Sequence, residues 1–125
     1  MDKKLFSKLT VYYTFLLIIL SLVPVPDFGV PKFKLFELDK LVHFIMYLFF
    51  AIFWSLKTEN FFDRKIKIIS YSILFGLGLE TLQHIFPFGR YFDWGDIIAN
   101  SMGVIFGVFI LYYLKKKITL ADDEN

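Results

Sequence analysis

The stretch DKLVH, Asp39 to His43, sets a carboxylate four residues before an imidazole. On a helix that spacing stacks the two side chains one turn apart, so Asp39 can fix the tautomer of His43 and raise its basicity, which suits the histidine to a general base or a nucleophile. A second stretch, ETLQH, carries Glu80, Gln83 and His84, and a third, RYFDWGDIIAN, carries Arg90, Asp93, Asp96 and Asn100. Arg90 with its planar fork and Lys40 as a point charge could clamp a phosphate. Asp93, Asp96 and Asn100 fall at i, i+3 and i+7, one face of a helix. The plainer use of Asp93 is to cap that helix, with Asp96 as its acid in the first turn. His84 reads as an interfacial histidine. Together with His43, Glu80 and Asp96 it could ligate a metal, but no recognised metal spacing such as HExxH occurs, so neither a metal nor another cofactor is expected.

The elements that must position these residues are apolar. Of the 125 residues, 57% are hydrophobic and 21% aromatic, including seventeen Phe. The mean hydropathy is +0.58. That is too apolar for an ordinary soluble domain of this size and reads as a membrane protein. Four apolar segments, 9–25, 41–56, 68–86 and 97–114, each approach the ~20 residues that cross a hydrocarbon core of ~30 Å. The expectation is therefore an all-α, polytopic membrane protein, a single domain over 1–125 built as a four-transmembrane-helix bundle. The first segment follows the basic MDKKLFSK and has the look of a signal peptide. It lacks a small-x-small cleavage site and carries Tyr12, Tyr13 and Thr14, so a retained helix is expected. Prolines at 24, 26 and 31 should end that helix and hold the next stretch extended.

Orientation follows from the basic residues. With the N-terminus inside, ten Lys and Arg fall on the cytoplasmic side and four, Lys32, Lys34, Lys40 and Arg90, outside. The positive-inside rule then places both termini in the cytoplasm of a multi-pass protein of the cytoplasmic membrane. Measured at 1.5 Å per residue from the inner basic flanks, His43, Glu80 and Asn100 all lie roughly 20 to 22 Å from the inner boundary. One turn further out come Asp39, Gln83 with His84, and Asp96, while Lys40, Arg90 and Asp93 reach the rim. These two layers predict a polar pocket opening outward above an apolar inner half.

Such a pocket needs a reason, because an ionisable group in the hydrocarbon costs at least ~2.5 kcal/mol on insertion scales. Glu80 is the most expensive residue in the chain and must be neutralised, paired or hydrated. The plain alternative is that Glu80, His43 and Asn100 only tie helices together, each bond contributing ~0.6 to 2 kcal/mol. Packing without polar groups would avoid the insertion cost, which favours a site. A net charge of +2, with lysines in flanking clusters, gives no case for nucleic acid. The absence of cysteine excludes disulfides, thiolate metal sites and a Cys nucleophile. Gly103 and Gly107 form a small-xxx-small face for close approach, within the bundle or in a homodimer, and Gly76 and Gly78 should serve similar packing.

DKLVHFIMY opening the second helix, ETLQ in the third, and R-x-x-D-x-x-D-x-x-x-N-x-x-G-x-x-x-G leading into the fourth together resemble the VanZ-like family of small membrane proteins. The resemblance runs from Asp39 to Gly107, and the first helix matches only in being apolar. It places the family's polar positions on Asp39, Lys40, His43, Glu80, Gln83, Arg90, Asp93, Asp96 and Asn100. What it implies is an envelope protein acting on phosphate-linked lipid head groups, from a family named after a protein linked to low-level teicoplanin resistance.

The expected function is therefore to bind, and to hydrolyse or transfer, a phosphate-bearing lipid head group. His43, Asp39 and Glu80 would be catalytic, and Lys40, Gln83, Arg90, Asp93, Asp96 and Asn100 would hold substrate. The alternative is a non-catalytic binder of an envelope lipid or partner protein. Proton-coupled transport ranks last, because the inner half supplies no acidic or histidine step.

Overall fold

The computed structural model describes residues 3–23, 32–86 and 92–124. Four α-helices run through them: α1 Lys3–Leu22, α2 Lys32–Lys57, α3 Phe61–Ile85 and α4 Trp94–Glu124. All four helices begin several residues before their apolar segments. Apolar windows register contact with hydrocarbon, whereas Lys, Glu and Asp continue a helix beyond it at little cost. Thus α2 begins nine residues before the predicted 41, and α4 runs ten beyond the predicted 114. The prolines at 24, 26 and 31 fall outside the described residues.

Three helices are long and apolar enough to cross a membrane: α1, the Glu37–Lys57 part of α2, and α4 as far as Asp123. α3 is long enough at 25 residues but falls short in composition. Asp63, Arg64, Lys65 and Lys67 load its start and Glu80, Thr81, Gln83 and His84 its end. Its polar residues divide by face: Ser72, Glu80 and Gln83 are buried against other helices, while Ser70, Thr81 and His84 are exposed. A hydropathy average blurs that division.

α2 and α3 form the short diagonal of the bundle, each touching the other three helices, and α1 and α4 do not touch. The most extensive contact is between α2 and α4. Gly103 and Gly107 make it possible, since a Cβ at Gly103 would collide with Phe44 O, and one at Gly107 would lie 2.5 Å from Leu48 O. Of the two uses expected for this glycine face, the structure shows the one within the chain, so a homodimer would need another surface. Ala51, Val104 and Val108 fill the seam beside them.

The opposite end from the polar residues is aromatic. Phe6 packs edge-on against Phe53, Phe62 against Tyr112, and Lys115 lies 5.1 Å over Phe61. Between α2 and α3 the chain turns in three residues, with Asn60 in the left-handed region at φ 57°. Asparagine tolerates that conformation better than most residues, and its carbonyl accepts from the N–H groups of Asp63 and Arg64. α1 is fastened to α2 by the Tyr13 hydroxyl on Met46 O and by Trp54 Nε1 on Thr14 Oγ1 at 3.0 Å.

Candidate functional site

The polar side chains of α2 and α4 meet at the end of the bundle remote from the α2–α3 turn. Lys40 reaches from α2 to α4, and its ammonium lies 2.6 Å from Asp93 Oδ2 and 2.5 Å from Asp96 Oδ1, with Asp39 Oδ2 at 3.8 Å. Space for that reach comes from Gly95, where a Cβ would stand 2.6 Å from Lys40 Cε. Asp93 also caps α4: its Oδ1 accepts the Gly95 N–H at 2.8 Å and its carbonyl accepts from Asp96 N. Partial burial works to raise the Asp93 carboxyl, but the Lys40 ammonium and the Gly95 N–H outweigh it and hold the group below the usual carboxylate range. The lysine of the expected phosphate clamp is thus bound to carboxylates, because Asp93 at the cap of α4 and Asp96 in its first turn face it across the seam.

One turn deeper, His43 Nδ1 lies 3.0 Å from Asn100 Oδ1 and Nε2 lies 3.4 Å from Asp39 Oδ1. Each ring nitrogen thus faces an oxygen, and which of the two carries the proton depends on the tautomer. One oxygen each of Asp39 and Asp96 and a nitrogen of His43 lie within 4.8 Å of one another. Those three residues could ligate a divalent cation, a different set from the one the sequence suggests. His84 is exposed while Glu80 is buried, so the two do not converge on an ion.

From α3, Glu80 and Gln83 turn into the bundle and are 1% and 2% exposed. Gln83 Nε2 donates to the Ser21 carbonyl of α1. Glu80 and Asp96 both lie near enough to the Tyr47 hydroxyl to act on it electrostatically, which links the α3 carboxylate to the α2–α4 cluster. The expected residue Arg90 lies outside the described residues. The others divide into one cluster of Asp39, Lys40, His43, Asp93, Asp96 and Asn100, and an α3 arm of Glu80 and Gln83 reached through Tyr47.

The family model described as VanZ/LLP1 matches residues 4–116, the whole bundle up to the basic end of α4. The chain belongs to the VanZ/LLP1 family. No curated protein and no solved structure matches it.

Three residues of this VanZ/LLP1 chain escape a reading by residue type. Tyr47 is 1% exposed, one turn below His43 on the same face, yet in the sequence it is one of seven tyrosines that fit an interfacial belt. Gly76 passes for a packing glycine; a Cβ there would stand 3.1 Å from Tyr47 Cε1 and 3.3 Å from Asn100 Nδ2, so it admits α3 to the polar centre. Gly95 sits between two aspartates in DWGD and is the gap through which the VanZ/LLP1 lysine passes. Its signal was its place in the first turn of a helix, where glycine is otherwise a poor choice.

Proposed function

We propose that this VanZ/LLP1-family protein binds a phosphate-bearing lipid head group from the outer face of the cytoplasmic membrane and hydrolyses it. The observation that carries the reading is the convergence, at one end of an apolar bundle, of Lys40, His43 and three aspartates with a buried carboxylate, Glu80, beside them. Ionisable groups buried in such a setting are expensive, and they mark a functional site by default. In this reading all four helices cross the membrane, α3 with its Ser72, Glu80 and Gln83 turned against its neighbours, and both termini are cytoplasmic, as the basic flanks favour.

Hydrolysis would run as follows. His43 takes a proton from a water whose oxygen forms a bond to phosphorus, while the bond from phosphorus to the lipid oxygen breaks. Asp39 balances the imidazolium, which returns its proton to the leaving oxygen. Lys40 moves from the aspartates onto a phosphoryl oxygen, joined by Arg90, and offsets the charge that develops there. Glu80, through Tyr47, accepts a proton or adjusts the charge of the cluster.

A second reading has its own observation. Lys40 already holds Asp93 and Asp96, so the cluster is complete as an interhelical tie and suits a binder without turnover. Protein purified in detergent and incubated with a mixed envelope-lipid extract separates the two, with head groups followed by phosphorus NMR. Hydrolysis predicts phosphate release that falls at least ~100-fold in His43→Ala, the scale of general base catalysis. Full turnover in that variant ends the assignment, and retention of one lipid without turnover favours the binder.

A further inference from the structure

The end of the bundle remote from the polar cluster has a cavity of its own. It measures about 480 Å³, lies between the start of α1 and the end of α2, and is lined by Lys3, Phe6, Leu56, Lys57, Thr58 and Glu59. Both helices are apolar enough to cross a membrane, α1 from Lys3 and α2 as far as Lys57. Two lysines therefore stand where two spans leave the hydrocarbon, at the depth of lipid phosphates.

The cavity combines apolar walls with cations. Phe6, edge-on to Phe53, and the exposed Leu56 supply the apolar surface. Lys57 stretches over the Trp54 ring with its ammonium 4.7 Å from the centroid, so the indole steadies the charge without neutralising it. Neither Lys3 nor Lys57 is ion-paired among the described residues, whereas Lys40 at the other end is held by aspartates. Glu59 is the one acid among the lining residues, and Thr58 donates its hydroxyl to Trp54 O at 2.7 Å, closing the last turn of α2. Around on the α3 and α4 side, Lys65, Lys115 and Lys116 lie over aromatic rings at the same end. The field about the cavity is positive.

We infer that this cavity binds an anionic phospholipid, with its phosphate shared by Lys3 and Lys57 and the upper part of its acyl chains against Phe6 and Leu56. A zwitterionic head group would bring a cation of its own toward the lysines, and a soluble anion would leave the apolar wall uncovered. Basic pockets between the ends of membrane helices have this chemistry. The lipid would bridge α1 and α2 on the face that the other two helices do not line. This site is separate from the polar cluster and stands whether or not the cluster hydrolyses a substrate.

The test uses the full chain in phosphatidylcholine vesicles, with Trp94→Phe so that fluorescence reports Trp54 alone. A small fraction of phosphatidylglycerol or of phosphatidylcholine carries brominated acyl chains, which quench an indole they touch. Phosphatidylglycerol should quench Trp54 more strongly than phosphatidylcholine, and the ratio of the two is compared between variants so that any direct effect of Lys57 on the indole cancels. In Lys3→Gln/Lys57→Gln the preference should fall by roughly tenfold or more, since each lysine near the surface contributes about fivefold to binding of anionic lipid. Lys115→Gln/Lys116→Gln removes the same charge from the α4 side and should leave the preference nearly unchanged. Glu59→Gln, which takes the opposing charge out of the cavity, should raise it.

Equal quenching by the two lipids would overturn the inference. So would an equal loss in both lysine pairs, which would reduce the preference to the diffuse positive field of this end. An indole shielded from both lipids would mean that protein covers the cavity, and that result would also overturn it, as would an unchanged or weaker preference in Glu59→Gln.

Discussion

Glycine does opposite work in the two seams of this bundle. Between α2 and α4, Gly103 and Gly107 bring backbones into contact, and Lys40 and His43 then fix the register by holding Asp93, Asp96 and Asn100. Between α1 and α3, Gly78 faces open space, and the helices are joined at the outer end by one hydrogen bond from Gln83. The lesson is that a small residue in a membrane helix specifies closeness only where a partner backbone lies opposite. Elsewhere it leaves room. A tight seam suits a polar centre that must hold several groups in place.

The contrast can be broken most forcefully at Lys40. Lys40→Met takes away the ammonium that Asp93 and the nearly buried Asp96 share, and should lower stability by about 3 kcal/mol. The unfolding midpoint in detergent measures this, and adding Asp96→Asn should restore part of the loss. Gly103→Ala comes next, at roughly 1–3 kcal/mol, because its methyl would press on a backbone carbonyl that cannot move aside. The same change at Gly78 should stabilise, by about 0.5–1 kcal/mol, since alanine is the better helix former and meets nothing there. Equal effects at the two glycines would dissolve the distinction between the seams.

The smallest effect is in pH. Asp93 is held below its unfolded value, so its contribution is complete above the ordinary carboxylate pKa of ~3.9 and disappears as pH falls through the lower folded value. With 35% of its side chain exposed, that contribution stays under about 1 kcal/mol. Unfolding midpoints taken from pH ~5 down to ~2 should fall less steeply in Asp93→Asn than in wild type.

Depth arithmetic made part of this arrangement legible in advance. Counting residues from the basic flanks put His43 and Asn100 at one level, and they are hydrogen-bonded; it put Lys40 and Asp93 together at the rim, and they form an ion pair. What counting does not reveal is what lies across a helix pair. That Lys40 passes Gly95 to reach Asp96 depends on how α2 and α4 cross. That Tyr47 joins the polar centre depends on Gly76 admitting α3. Helix ends escape hydropathy for a different reason: it reports the solvent of a segment and says little about where its backbone bonds stop.

The three-residue turn at Asn60 has one more consequence. Lys3, that turn and the aromatic contacts of Tyr112 all gather at the same end, and from Lys115 to Glu124 α4 projects about 13 Å further. A connection so short cannot lie across a bilayer, so in the four-span arrangement proposed above α2 and α3 insert as a pair, and the sidedness of the chain reduces to one binary quantity. In that arrangement a protease that trims the projecting tail from sealed vesicles reports at once on the side that Lys40 and His43 occupy.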